Sequence, residues 1–340
     1  MAVLLVVNLR GGYTGYANSA NTHNGTRITM TTAFVFPGQG AQTIGMGKAL
    51  ADAYPAAKAV FEEVDEALGE SLSTLIWEGE QDQLTLTQNA QPALMATSLA
   101  ALRALESEGL VLAQKASHVA GHSLGEYSAL AAAGALSISD AARLLRTRGR
   151  AMQEAVPVGV GAMAALLGLD FQTAQDVAAA AAEGDVCQAA NDNDPAQVVV
   201  SGHKAAVERA VALAKEKGAK RAVMLPVSAP FHCELMQPAA QVMAEALSHV
   251  DISRPVVPLV ANVVAEAVDD PATIRSLLVD QVTGSVRWRE SVMFMAEEGV
   301  TEVWEIGAGK ALSGMIRRID RSIGCSAIGT PEDVAKVLNG

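Results

Sequence analysis

The sequence predicts an α/β protein built on a central parallel sheet, and three observations carry that prediction. Half of the 340 residues are hydrophobic and only 4% are aromatic, a balance that suits helices packed on a buried aliphatic sheet rather than an aromatic-rich β-sandwich. From Ala33 onward, short apolar runs alternate with longer helical patterns, the rhythm of parallel strands joined by crossover helices. Charged residues are 18% of the chain, so the apolar content suffices for a large core and excludes a disordered protein.

The chain from Ala33 reads as alternating elements. AFVF is the first strand, followed by a helix-rich stretch to Gly109. SHVAG, ending at Gly121, is the second strand; LGEYSALAAAGAL, from Leu124, is an alanine-rich helix, and a further helix covers 140–156. Around Pro157-Val158-Gly159 the pattern becomes a compact block: strand 162–169, helix 171–182, strands 186–190 and 197–202, helix 204–217, strand 221–227. The order βαββαβ predicts a small ferredoxin-like subdomain. Next come a helix near 235–247, the apolar strand PVVPLVANV, helices around 272–282 and 288–298, the strand TEVWEI, and a closing helix over 310–319. The expected organisation is one large α/β domain assembled from 30–157 and 226–340, with 158–225 inserted as the small subdomain. No internal repeat or low-complexity tract is present.

Residues 1–29 stand apart. The opening MAVLLVVNLR has neither a basic leader region nor a cleavage site, and 10–32 is polar, Gly/Asn/Thr-rich and aperiodic. Met30 sits just before the first strand, so 1–29 reads as a disordered, non-native extension from a misplaced start codon. Asn24-Gly25-Thr26 is then a chance tripeptide rather than a glycosylation site.

Charge and cysteine usage narrow the function classes. Lys plus Arg number 25 against 37 acids, a net charge of −12, which argues against nucleic-acid or anionic-membrane binding and leaves any acidic partner to a local basic patch. No apolar run approaches the ~20 residues of a membrane helix. Cys187, Cys233 and Cys325 are far apart and odd in number, supporting neither a disulfide framework nor a zinc site and fitting a reducing cytoplasm.

The sharpest motif is Gly121-His122-Ser123-Leu124-Gly125, a G-x-S-x-G between a strand and a helix. In such an elbow the serine stands clear of its neighbours and the helix N-terminus aims N–H groups at developing negative charge. Ser123 is thus a candidate nucleophile; an ordinary turn whose serine caps the helix would use the same residues. A serine needs a base, and His23, His118, His122, His203, His232 and His249 are available. His232 is preferred because Ser228-Ala229-Pro230-Phe231-His232-Cys233 is an irregular loop between a strand and a helix, although a solvated structural histidine fits there too. Phe36-Pro37-Gly38-Gln39-Gly40 ends the first strand in a loop that allows close backbone approach to a substrate, or that simply turns the chain. Gly47-Lys48 and Gly309-Lys310 lack the remainder of a P-loop, no G-x-G-x-x-G occurs, and Asn191-Asp192-Asn193-Asp194-Pro195 lacks the glycine and distal glutamate of an EF-hand. Neither a nucleotide fold nor a metal is expected.

Taken together and in order, FPGQG at 36–40, GHSLGEY at 121–127, Arg148-Gly149, APFHC at 229–233 and GAGKAL at 307–312 closely resemble the malonyl-CoA:acyl-carrier-protein transacylases of fatty-acid synthesis, relatives of polyketide synthase acyltransferase domains. The resemblance runs from Met30 to the end and implies an α/β-hydrolase-like large domain carrying the inserted ferredoxin-like subdomain. It further implies Ser123 as nucleophile, His232 as base, Gln39 and the Leu124 N–H as oxyanion hole, and Arg148 as clamp on the malonyl carboxylate. The backbone carbonyl of Gln281, in VDQVTG, would orient His232, and Phe231 would disfavour a branched acyl group. The implied reaction is ping-pong malonyl transfer from malonyl-CoA to the phosphopantetheine thiol of acyl carrier protein, without a cofactor, supplying chain elongation in the cytoplasm. Without the resemblance, Arg148 in RLLRTRGR reads as an exposed helix arginine, and GxSxG alone supports a serine esterase or thioesterase with a carboxylate as third member. A non-enzymatic carrier-binding module is a further reading. Lys215, Lys217, Lys220 and Arg221, or Arg317, Arg318 and Arg321 on the last predicted helix, offer positive docks for an acidic carrier.

Overall fold

Strand β1 (Thr32–Phe36) is buried on both faces, and its alternation divides the core. Phe34 and Phe36 join the larger apolar cluster, whereas Ala33 and Val35 join a second one around Trp288, Val292 and Leu312. A strand covered on both sides is the signature of a parallel sheet between helical layers. The computed structural model describes residues 32–227 and 229–339. The readings placed on 1–29, Met30, the Asn24 tripeptide and His23 lie outside the described residues.

After β1 come α1 (Lys48–Ala53), α2 (Pro55–Leu68), α3 (Leu72–Glu78), α4 (Gln81–Thr85), α5 (Thr87–Ser107) and α6 (Leu112–Lys115). β2 (Ala116–Gly121), α7 (Gly125–Ala132) and α8 (Ile138–Glu154) follow. The compact block is β3 (Gly161–Leu167), α9 (Phe171–Ala182), β4 (Cys187–Asp194), β5 (Gln197–His203), α10 (Lys204–Glu216) and β6 (Arg221–Met224). The chain continues through a 3-10 turn (Glu234–Met236), α11 (Gln237–Ser248), β7 (Leu259–Val260), β8 (Ala267–Val268), α12 (Pro271–Thr283), α13 (Trp288–Glu297), β9 (Glu302–Ile306), α14 (Ala311–Ile319), β10 (Gly324–Ile328) and α15 (Pro331–Asn339).

Two sheets result. The six-stranded sheet runs β10-β9-β1-β2-β7-β8 and is parallel apart from its β7–β8 edge. The four-stranded antiparallel sheet runs β4-β5-β3-β6, with α9 and α10 packed on it over a separate core of Leu166, Val177, Val198, Val200 and Val207. The helix expected to close the chain does not: β10 and α15 follow it, and Arg321 lies beyond the end of α14. GCSAI was missed because only its last residue is fully buried, so it carries little apolar signal. PVVPLVANV yields only the two-residue β7, since prolines at 255 and 258 remove ladder donors.

Three features aim the elements. Ser137 caps α8 by accepting from the Asp140 N–H, and α8 then buries Ala141, Leu145, Arg148 and Met152. Their i, i+4, i+7, i+11 spacing puts an arginine on an apolar stripe. Gly149 lets α8 approach α5, because a Cβ there would stand 2.5 Å from the Gln88 Cα. Finally, the buried Glu305 carboxylate accepts from the Leu312 and Ser313 N–H groups at 3.0 and 2.7 Å, holding the first turn of α14.

Candidate active site

Ser123 sits where β2 turns into α7, with a left-handed φ of 53°, a conformation that a non-glycine residue adopts only when its surroundings impose it. The close passage of Gly125 helps impose it, since a Cβ there would lie 2.2 Å from the Phe36 carbonyl oxygen. The residue at the N-cap of α7 is Leu124, and no side chain caps that end. Ser123 is therefore not a helix cap. Its hydroxyl instead lies 2.7 Å from His232 Nε2.

His232, also at positive φ (57°), reaches the serine from the loop after β6. Its Nδ1 lies 2.9 Å from the Gln281 backbone carbonyl. A carbonyl only accepts, so Nδ1 carries the proton and Nε2 is free to accept from the Ser123 hydroxyl. Burial, and then the nearby Arg148 charge, push the imidazole down to a pKa of about 3, keeping it neutral and able to take a proton at ordinary pH. The group behind the histidine is a carbonyl on α12, not the carboxylate that a serine hydrolase triad would use.

Arg148 is 1% exposed. Its Nη1 donates to Gln91 Oε1 at 2.7 Å, and its Nη2 to Gln281 Oε1 at 2.8 Å and to Ser123 Oγ at 3.1 Å. Among the described residues it has no ion pair. A buried guanidinium with neutral partners, beside a candidate nucleophile, is suited to receive a carboxylate from outside.

The elbow also supplies donors. The Ser123 N–H is taken by Asn262 Oδ1 at 2.8 Å, and those of Gly125, Glu126 and Tyr127 by carbonyls of the same turn. That leaves the Leu124 N–H as the one in this turn without a protein acceptor among the described residues. Gln39, in the loop after β1, accepts from Thr87 Oγ1 at 2.9 Å through its oxygen, so its amide nitrogen remains to donate.

Gln39, Ser123, Leu124, Arg148, Phe231 and His232 line one cavity of about 530 Å³ between the two sheets, shared with Met163 and Val199 of the antiparallel sheet and Met315 of α14. That volume suits a small acyl group with part of its carrier arm. Gln281 stands behind it, fully buried. The other histidines lie elsewhere or have other partners. His118 bonds Ser117 and meets the Phe294 ring edge to face, His203 accepts from the Val186 N–H, His249 is exposed on the end of α11, and His122 bonds Asn193 Oδ1 at 2.9 Å.

Sequence reasoning missed four polar residues of the site. Asn262 bridges the Ser123 N–H and the Gly121 carbonyl; Gln91 holds Arg148; Glu126 touches Gln281; Asn193 steadies His122. A detectable signal existed for two of them, the asparagine inside the apolar PVVPLVANV and a lone acid in the apolar helix GEYSALAA. Of the two basic clusters, Arg318 is tied to the buried Asp194 at 2.7 Å. No group of three or more potential metal ligands occurs among the described residues, and no helix among them is long and apolar enough to cross a membrane.

Residues 33–321 match the acyl transferase domain family. The malonyl CoA-acyl carrier protein transacylase of Bacillus subtilis is 49% identical over 303 residues, 89% of this chain and 94% of the relative. That of Escherichia coli is 45% identical over 306 residues, 90% and 98% respectively. The crystal structure of the acyl-carrier-protein-S-malonyltransferase from Bartonella henselae is similar with a TM-score of 0.89 and 56% identity, covering 91% of this chain and 99% of that one. A complex of a type II PKS acyl-carrier protein with its malonyl-transacylase matches with a TM-score of 0.88 and 41% identity, covering 91% and 99%.

Proposed function

Because the chain belongs to the acyl transferase domain family, we propose that it moves a malonyl group from malonyl-CoA to the phosphopantetheine thiol of an acyl carrier protein, through a malonyl-serine intermediate, and so supplies malonyl-carrier for fatty-acid chain elongation. The single observation that carries the reading is the placement of buried, ion-pair-free Arg148 with Nη2 3.1 Å from the Ser123 hydroxyl. A serine acyltransferase for acetyl groups has no use for that charge, whereas a malonyl carboxylate meets it directly. The relatives named as malonyl transacylases, one of them seen with its carrier protein, support the same substrate and partner.

In the first half-reaction His232 Nε2 takes the Ser123 proton as Oγ attacks the thioester carbonyl. The Leu124 N–H and the Gln39 amide nitrogen receive the oxyanion. Collapse expels the CoA thiolate, which leaves with the proton from His232. In the second half-reaction the same imidazole deprotonates the carrier thiol, which attacks the malonyl-serine ester and regenerates Ser123. The Gln281 carbonyl keeps Nδ1 protonated and the ring aligned throughout. Phe231, 9% exposed at the cavity wall, narrows the space beside the acyl α-carbon and disfavours a branch there.

The fold assignment belongs to this reading. We take 158–225 as a ferredoxin-like subdomain inserted between 30–157 and 226–340 of an α/β-hydrolase-like domain. The βαββαβ order and the β4-β5-β3-β6 arrangement support it, and the cavity between the sheets gives it a role as one wall of the acyl site. The chemistry requires no cofactor, and a cytoplasmic location suits its substrates.

Intact-mass measurement after brief exposure to malonyl-CoA, followed by a chase with phosphopantetheinylated carrier protein, tests the function. A malonyl adduct absent from Ser123→Ala and passed to the carrier is the expected result. An adduct that drains only to water would make the protein a thioesterase, a reading that the carbonyl behind His232 already disfavours. Carrier binding without any adduct would leave a docking module.

A further inference from the structure

One buried charge beside Ser123 has no part in the chemistry above. Glu126, in the first turn of α7, is 1% exposed and forms no ion pair among the described residues. Its Oε2 accepts from the Gln281 side-chain nitrogen at 2.5 Å and from the Asn262 N–H at 3.4 Å. The oxygen of the same Gln281 amide accepts from Arg148 Nη2 at 2.8 Å. The amide orientation is forced, because its nitrogen also faces the Ser123 carbonyl at 3.0 Å and its oxygen faces a guanidinium. Carboxyl, amide and guanidinium thus form a chain in which the amide dipole is aligned with both charges. Buried singly, each charge would be costly; linked, they offset one another.

We propose that Glu126 is a positioning residue and the resident counter-charge of Arg148, acting through the Gln281 amide, so that the acyl carboxylate competes with Glu126 for one guanidinium. The inference rests on the malonyl reading and deepens it. In the empty enzyme Glu126 holds Gln281, and with it both Arg148 and the carbonyl behind His232. When malonyl occupies the site, two carboxylates face one cation, which weakens retention of the acyl group and favours its onward transfer. The charged or titratable groups set against Glu126 are Arg148 from α8 and Tyr127 on its own helix, while α12 and the segment after β7 bring the neutral Gln281 and Asn262.

The test compares Glu126→Gln, which keeps an oxygen for Gln281, with wild type in rapid-quench acylation by malonyl-CoA and acetyl-CoA from pH 6 to 8. The expected result is a malonyl-CoA KM lowered roughly tenfold, a reduced kcat, an unchanged acetyl-CoA KM, and loss of the wild-type rise in malonyl KM with pH. A raised malonyl KM, or equal shifts for both substrates, would overturn the proposal. Thermal unfolding at pH 8 gives a readout independent of activity. Arg148→Ala strands Glu126, so adding Glu126→Gln to it should recover part of the lost Tm, whereas additive losses would refute the pairing. If that recovery occurs in a protein that takes no malonyl from malonyl-CoA, the substrate reading fails and the charge pairing stands.

Discussion

Arg148 and His232 are coupled, and each constrains what the other can do. The guanidinium lowers the imidazole pKa along with burial, which keeps the base neutral, while its donors to Gln91, Gln281 and Ser123 leave it poised for an incoming carboxylate. Arg148→Ala should lower kcat/KM for malonyl-CoA by roughly 10²–10³, the loss of one directed buried donor, and change that for acetyl-CoA much less; parallel acylation rates with the two thioesters check this. The histidine makes a second, pH-dependent prediction. Its folded pKa of about 3 lies below the ordinary 6.5, so between those values the unfolded chain binds a proton that the folded one does not, and stability falls as pH falls through that window. Glu126 has the opposite sign. Burial raises it from 4.5 to about 7, so its contribution falls as pH rises from 4.5 to 7. Tm against pH for His232→Gln and Glu126→Gln should therefore deviate from wild type in opposite directions, the first gaining relative stability on the acid side and the second near neutrality and above; curves parallel to wild type would refute both assignments. At the residue scale the motifs singled out Ser123 and His232 as candidates, whereas RLLRTRGR by itself reads as an exposed helix face and Arg148 came forward only through the family resemblance. Gln91 left no mark in the sequence, and the signals at Glu126 and Asn262 marked an acid and an amide in apolar runs without saying what they meet, because a buried polar network is defined by which chain segments come together, and those segments are far apart in sequence.

Elements hold this network by fitting closely rather than by propensity. The α7 helix begins against the Phe36 carbonyl with no room for a methyl at Gly125, so Gly125→Ala should displace the elbow, lower Tm by several degrees and abolish acyl-serine formation; calorimetry with intact-mass analysis tests both. The stretch Asn191-Asp192-Asn193-Asp194, rejected above as a calcium loop, ties the antiparallel sheet to α13 and the segment just before it instead. Asp192 is fully buried and takes Nε and Nη2 of Arg289 at 2.9 Å each, while backbone bonds join Asp192 and Ala190 to Val286 at 2.9 Å. Arg289→Ala would leave a buried carboxylate unpaired, for a loss of roughly 3–5 kcal/mol, read as a lowered urea midpoint. Continuous apolar runs revealed β1 and β2, and periodicity revealed α8, α9 and α10, each of which buries one regular face. β10, α15 and the shortened β7 escaped because they are half-exposed edges or are broken by proline, where period and burial separate.

At the scale of the whole molecule, the proposed function would have a chain of net charge −12 receive an acidic carrier, and docking would then depend on where the cations stand relative to the cavity mouth. Composition alone left two clusters open, and topology separates them. Ala311, Leu312 and Met315 of α14 line the cavity, and Arg317 lies half a turn further along the same helix, with Arg321 just beyond its end. Arg318 is partly spent on Asp194. Lys215 and Lys217 stand at the end of α10, a helix that contributes nothing to the cavity lining. Arg221 opens β6 and reaches the cavity only through Leu225 and the residues after it. If a phosphopantetheine arm enters along α14 from its C-terminal end, it passes the arginines before it reaches Ala311, Leu312 and Met315. Charge attraction at such a rim acts chiefly on encounter and is screened by salt. Because a ping-pong reaction separates its two halves, the prediction can be isolated: Arg317→Glu with Arg321→Glu should raise KM for the carrier several-fold and flatten its salt dependence, while the rate of Ser123 malonylation by malonyl-CoA stays unchanged. Lys215→Glu with Lys217→Glu should change neither. Loss of carrier turnover in the lysine pair alone would place the dock on the antiparallel sheet side and reverse the direction from which the thiol enters.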